Sequence, residues 1–222
     1  MSTENYNNPT FALRKQRADI VVCELKLLFP VAKTILEFSN NWELTVAVML
    51  SAQTTDKQVN VVTRTLFKKY PKLSDYVAAN PAEFERDVSS VNYYKTKSKH
   101  ILKSAHKLHT EFNGILPRTA REMQTLPGVG RKTALVVLGN AYNIVEGIAV
   151  DTHVRRLSMQ FGLTSHTDPQ KIEADLVLLI PRDEWFHFTN RMIDYGRTYA
   201  PAHSAAADDP ISKKLAILGK KM

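Results

Sequence analysis

A single cysteine, Cys23, is the chain's whole complement of thiols. It excludes an intrachain disulfide and any cluster held by several of the chain's own thiolates, and it suits a reducing cytosol. No run approaches the roughly 18 apolar residues of a membrane-spanning helix, and the opening MSTENYNNPT lacks the basic-then-apolar pattern of a secretory signal. The expectation is a soluble intracellular protein, cytoplasmic or nucleoid-associated, that does not engage a membrane. Glycine is missing from the first half: none of the eight precedes Gly114, so earlier turns must be built from Pro, Asn, Asp and Ser. Strand-like alternation of apolar and polar residues is nearly absent as well.

What is present reads as helix. Apolar residues recur at spacings of three and four, as in Val59, Val62 and Leu66, or Ile101, Ala105, Leu108 and Phe112. Start signals are frequent: Asn80 before Pro81, Thr119 with Glu122 as a possible capping box, and Asp168 before Pro169. Helices are expected near 10–28, 42–52, 56–69, 73–79, 82–88, 96–112, 119–125, 130–141, 151–160, 169–179 and 184–196, which makes the class all-α. SAAADD at 204–209 is small, polar and loop-like. The 222 residues suffice for one large domain or two small ones with real cores. Thirty Lys and Arg against 22 Asp and Glu give a net charge of +8, so the molecule should accumulate on polyanions. Nucleic acid is the leading partner; a membrane surface or plain solubility is the bland alternative.

Chemistry concentrates in LPGVGRKTA at 126–134. The glycines permit a tight connection with positive φ and leave backbone N–H groups open to an anion at the start of the next helix. A helix, hairpin, helix arrangement of this kind holds a DNA phosphate without reading sequence; an ordinary glycine turn between packed helices is the alternative. Lys132 stands where the helix dipole disfavours a cation by about 0.3–1 kcal/mol. It is either a surface lysine touching phosphate or a nucleophilic amine. A lysine nucleophile must be uncharged part of the time, with a pKa brought from about 10.4 to about 7 or 8. That shift amounts to roughly 3–5 kcal/mol, more than the dipole supplies, so desolvation and a cationic neighbour such as Arg131 must contribute. In AVDTHVRR at 149–156, Asp151 opens a helix. It is either a plain N-cap or a carboxylate that stabilises positive charge developing on a sugar ring.

Together with MLSAQTTD at 49–56, these two segments resemble the endonuclease III family of helix-hairpin-helix DNA glycosylases, over about residues 14–200. The resemblance implies two helical domains with DNA held in the cleft between them, one domain at 34–144 and the other formed by 1–33 with 145–222. It implies Lys132 as Schiff-base lysine and Asp151 as catalytic aspartate, facing each other across the domain interface, with Gly128, Val129, Gly130 and Arg131 on DNA. Gln53 resembles a glutamine that fills the space left by an extruded nucleotide, unless it only caps a helix end. In VNYYKTKSK at 91–99, Tyr93 falls in a loop that wedges into DNA, or is a surface tyrosine beside Lys95, Lys97 and Lys99. His153 falls near the lesion pocket, or is a helix-start histidine satisfied by backbone.

The implied activity is bifunctional: N-glycosylase and AP lyase on damaged, oxidised pyrimidines in double-stranded DNA or at abasic sites, by a monomer. A monofunctional superfamily glycosylase and a non-catalytic DNA-binding module are the alternatives. One departure stands out. The family follows the equivalent of YGR at 195–197 with four cysteines, C-x6-C-x2-C-x5-C, that hold a [4Fe-4S] cluster. Here those positions are Ala200, Ala207, Pro210 and Ala216, so no cluster and no metal is expected, while Arg197, Lys213 and Lys214 remain to meet phosphate or solvent.

Overall fold

The computed structural model describes residues 9–202 and 209–219, and among them the regular structure is helical, with no strand. The helices are α1 (Pro9–Leu28), α2 (Asn41–Leu50), α3 (Asp56–Lys69), α4 (Leu73–Ala78), α5 (Pro81–Asp87), α6 (Tyr94–Glu111), α7 (Ala120–Met123), α8 (Arg131–Tyr142), α9 (Thr152–Gln160), α10 (Pro169–Leu179), α11 (Trp185–Thr198) and α12 (Pro210–Gly219), with a 3₁₀ turn at Arg182–Glu184. The all-α class expected from the sequence is the class observed. Contacts divide the chain into two compact units: Ile35–Glu146, and the described residues of 1–34 with those of 147–222.

In the Ile35–Glu146 unit, α2 is largely apolar, and every residue from Trp42 to Leu50 is buried, Glu43 and Thr45 included. Such a helix belongs inside, and α3, α6 and α8 pack around it. Asn40 starts α2 by accepting the Glu43 N–H at 2.9 Å, and the Glu43 carboxylate accepts the Ser39 N–H at 2.6 Å. Asn80 caps α5 ahead of Pro81. Thr119 caps α7, but the Glu122 carboxylate accepts the Thr119 hydroxyl at 2.8 Å instead of closing a capping box on the backbone. Tyr70, Tyr76, Phe84 and Trp42 form an aromatic cluster with ring centroids 5.3–5.7 Å apart. Emptying one such position, as in Phe84→Ala, costs about 3–5 kcal/mol.

In the other unit, Val21 and Leu25 of α1, Val154 and Leu157 of α9, Leu176 of α10, Phe188 and Met192 of α11, and Ile211 and Leu215 of α12 share one core. Helix α12 corrects the sequence-based expectation, which has no helix beyond 196. Its start is held by Asp209, which is buried. The Tyr195 hydroxyl donates to Asp209 Oδ1, the Ser212 N–H donates to the same oxygen at 2.9 Å, and Gln160 Nε2 donates to Oδ2 at 2.7 Å. The Ile211 N–H donates to the Tyr195 oxygen at 2.9 Å. Burial pushes the Asp209 carboxyl up, but the hydrogen bonds from Tyr195 and Ser212 outweigh it and hold the group below its ordinary value.

Candidate active site

The LPGVGRKTA segment builds a four-residue turn: the Val129 N–H donates to Leu126 O at 3.0 Å. Proline second and glycine third is the preference of a type II turn. Gly128 has φ +79°, and a Cβ there would lie 2.8 Å from His100 Cβ and 2.9 Å from Met49 Cε. Both conformation and space therefore require glycine. Ser104 Oγ donates to Pro127 O at 2.7 Å and ties the turn to α6. Val129 is buried and its N–H is taken by Leu126 O, so it offers no donor to an anion and serves the turn by packing. Gly130 departs from the expectation of positive φ at both glycines. Its φ is −85°, it is the N-cap of α8 without any side-chain cap, and nothing stands within 4 Å of where a Cβ would be. What it provides is open approach to the first turn of α8. Arg131 and Lys132, both half-buried, occupy that turn, and Arg131 Nη2 donates to Glu146 O at 3.4 Å.

Gln53 and Tyr93, also in the Ile35–Glu146 unit, share an unusual backbone: both are exposed, with φ of 54° and 58°. Left-handed non-glycine residues are uncommon and gather at functional sites. Gln53 does not cap α2, because Ser51 is the C-cap and its N–H donates to Ala47 O. The structure brings the two segments together through Asn92, whose side-chain Nδ2 donates to Gln53 O and whose N–H donates to Thr54 Oγ1 at 3.1 Å. Lys97 joins them. Its Nζ donates to Leu50 O at 2.7 Å, Ala52 O at 2.6 Å and Thr54 Oγ1 at 3.2 Å. Lys97 is thus no surface charge beside Tyr93 but a buried cation, and burial lowers its pKa to about 8. A sequence signal for this exists: position 97 continues the buried stripe of Ile101, Ala105 and Leu108 on α6.

In the other unit, Asp151 caps α9: its Oδ1 accepts the Val154 N–H at 2.8 Å. The cap uses one carboxylate oxygen and does not need the second. His153, the second residue of the same helix, is half-buried, and its Nδ1 has no hydrogen-bond partner among the described residues, backbone included. Gly196 of α11 lies so close to Nδ1 that no Cβ fits there. Burial lowers the His153 pKa; Asp151 opposes this, and Arg156 and Arg197 reinforce it. The structure thus brings Asp151, His153, Arg156 and Arg197 together in one unit, while the other holds Lys132 at the start of α8 and, separately, Gln53 and Tyr93 joined through Asn92.

The positions expected to hold a metal cluster do not fit one. Ala200 is buried, with its carbonyl accepting Arg156 Nη2 at 2.6 Å, and Pro210 and Ala216 lie on α12. Ala207 lies outside the described residues. Alanine and proline side chains supply no thiolate, and Cys23 is alone and exposed on α1. Among the described residues no three His, Cys, Asp or Glu gather into a metal-holding group, and no helix is long and apolar enough to cross a membrane. Lys214 is engaged with Glu24 at 2.5 Å, as a surface charge.

Comparison with known proteins places these features in context. The family described as "HhH-GPD superfamily base excision DNA repair protein" matches residues 46–182. Endonuclease III of Synechocystis sp. is 43% identical over 191 residues, covering 86% of this chain and 87% of that one. Endonuclease III of Bacillus subtilis is 42% identical over 178 residues, covering 80% and 81%. A solved structure of a trapped endonuclease III–DNA covalent intermediate, an estranged-adenine complex, is 39% identical with a TM-score of 0.85, covering 90% of this chain and 97% of that one.

Proposed function

The chain belongs to the endonuclease III family, within the HhH-GPD superfamily of base excision DNA repair proteins, and from that premise we propose how its own residues do the work. It binds DNA and is a DNA glycosylase and AP lyase of base excision repair. On our reading it acts as a monomer, inside the cell, on oxidised pyrimidines in duplex DNA. The damaged nucleotide leaves the stack, because its glycosidic bond is unreachable within it. The Lys132 amine attacks C1′, the C1′–N bond breaks, and the departing base takes a proton. Opening of the sugar ring gives a Schiff base between Lys132 and C1′. Removal of a 2′ proton then expels the 3′ phosphate, and water releases the lysine and the cleaved sugar. Asp151 stabilises positive charge on the sugar as the base departs. Gln53 fills the vacated space, Tyr93 stacks into the strand, and His153 faces the lesion.

The observation that carries this reading is the start of α8. Gly130 leaves it without a side-chain cap and open above, so a phosphate is held by amides while Lys132 sits one residue inside. The covalent intermediate trapped in the relative supports a nucleophilic route. We further propose that the chain works without an iron-sulfur cluster, on the strength of its donor set, with the Asp209 network anchoring the C-terminal helix instead. The test is a set of duplexes, each with a single lesion, given to protein whose iron content has been measured. Iron-free protein should release oxidised pyrimidines and cut 3′ to the site. Base release without scission would make the enzyme monofunctional, and activity confined to iron-loaded protein would overturn the cluster-free reading.

A further inference from the structure

We propose that Lys97 is a positioning residue, a buried strut that holds the Ser51–Thr54 turn so that Gln53 keeps its left-handed backbone and stays in register with Tyr93. The proposal rests on the reading of Gln53 as the residue that enters the duplex.

The chain contains two turns of the same design. In Leu126–Val129 the third residue is Gly128, at φ +79°. In Ser51–Thr54 the Thr54 N–H donates to Ser51 O at 3.1 Å, and the third residue is Gln53, at φ 54°. Glycine adopts that conformation without steric penalty, whereas glutamine does not. No glycine precedes Gly114, so the second turn needs support from outside.

Lys97 supplies it. An ammonium has three donors and no acceptor, and here each donor has a partner: Leu50 O at 2.7 Å, Ala52 O at 2.6 Å and Thr54 Oγ1 at 3.2 Å. Two of these are backbone carbonyls at and just past the C-terminus of α2, where carbonyls lack intrahelical partners and a cation suits the dipole. The Thr54 hydroxyl oxygen also accepts the Asn92 N–H, and the Asn92 side chain donates to Gln53 O, so Gln53 and Tyr93 are fixed from one set of bonds. Lys95 and Lys99, two residues to either side, are exposed; Lys97 alone of the three is turned inward. A purely structural need at this place in the α6 stripe would be met by an apolar side chain. The cation makes sense if the turn must be held in one conformation.

The test compares duplex DNA carrying one oxidised pyrimidine with a single-stranded oligonucleotide carrying one abasic site, which has no gap to fill. Lys97→Met should lower duplex turnover about tenfold, the scale of a slightly misplaced group, and leave single-strand cleavage by the folded protein unchanged. Gln53→Ala should lower duplex turnover alone, and adding it to Lys97→Met should cost nothing further, because both act through one element. If Lys97→Met does not fold, Thr54→Val removes the shared hydroxyl and should give the same duplex-selective loss. An equal fall on both substrates, or losses that multiply in the double variant, overturns the proposal. Loss with Gln53→Ala and none with Lys97→Met or Thr54→Val removes Lys97 alone from the account. No loss with Gln53→Ala removes the reading of Gln53 and the proposal with it.

Discussion

Asp151 makes the cap that the structure shows and carries the catalytic charge that we propose, and a substitution can separate the two. Asparagine caps a helix about as well as aspartate, and it retains the shape while deleting the charge. Asp151→Asn should therefore melt like the wild type and bind DNA as tightly, while its single-turnover base release falls by about 10²–10³, the scale of a lost electrostatic stabiliser. Full turnover in that variant would leave Asp151 with the cap it makes to Val154 and nothing more. The settings of Lys132 and Asp151 are legible in the sequence because their neighbours along the chain define them: a hairpin precedes Lys132, and a helix start surrounds Asp151. Lys97 is illegible for the opposite reason. Within YKTKSK it looks like one surface lysine among three, and only the burial of its helix face and the carbonyls of a distant helix end reveal its role. His153 is similar: the missing Nδ1 partner and the close approach of Gly196 arise from α11, more than thirty residues on.

At the scale of elements, the two glycines of the hairpin differ in what they do. Gly128→Ala meets both a left-handed φ and a 2.8 Å contact with His100 Cβ. It should destabilise the protein by about 1–3 kcal/mol. Gly130→Ala meets neither. The poorer N-cap is offset by the lower entropy of the unfolded chain, so the variant should cost no more than about 1 kcal/mol yet bind DNA more weakly, because the methyl group covers the first turn of α8. Thermal melts read beside binding isotherms check the pair. At the other end of the chain, Asp209→Ala should loosen α12, seen as faster amide exchange across residues 210–219 with the rest of the core protected. The folded-state pKa of Asp209 lies below its ordinary value, so the unfolded chain binds more protons as the pH drops. Its contribution is present above about pH 3.9 and is lost as the pH falls through the lower folded value. Most helices are readable from spacing and caps, and α3 and α10 have the bounds expected of them. Helix α12 is the exception. Asp209 before Pro210 is the same start signal as Asp168 before Pro169, but a segment aligned with a cysteine loop is read as loop, and the polar contacts that make it helical come from Tyr195 and Gln160.

For the whole molecule, a net charge of +8 and a hairpin that we propose as a phosphate cradle imply binding that is largely electrostatic and indifferent to sequence. The logarithm of the DNA association constant should fall with the logarithm of salt concentration by about 0.9 per phosphate contacted. A salt-independent constant would leave the hairpin as a packing turn. Charge and helical class are properties of the chain as a whole and can be read without coordinates. Chemistry depends on single atoms, and the central claim concerns one of them, Lys132 Nζ. Borohydride reduction during reaction with abasic-site DNA tests it most directly. The wild-type protein should become covalently joined to the DNA and Lys132→Ala should not; a Lys132→Ala protein that still traps would place the nucleophile elsewhere and contradict the account.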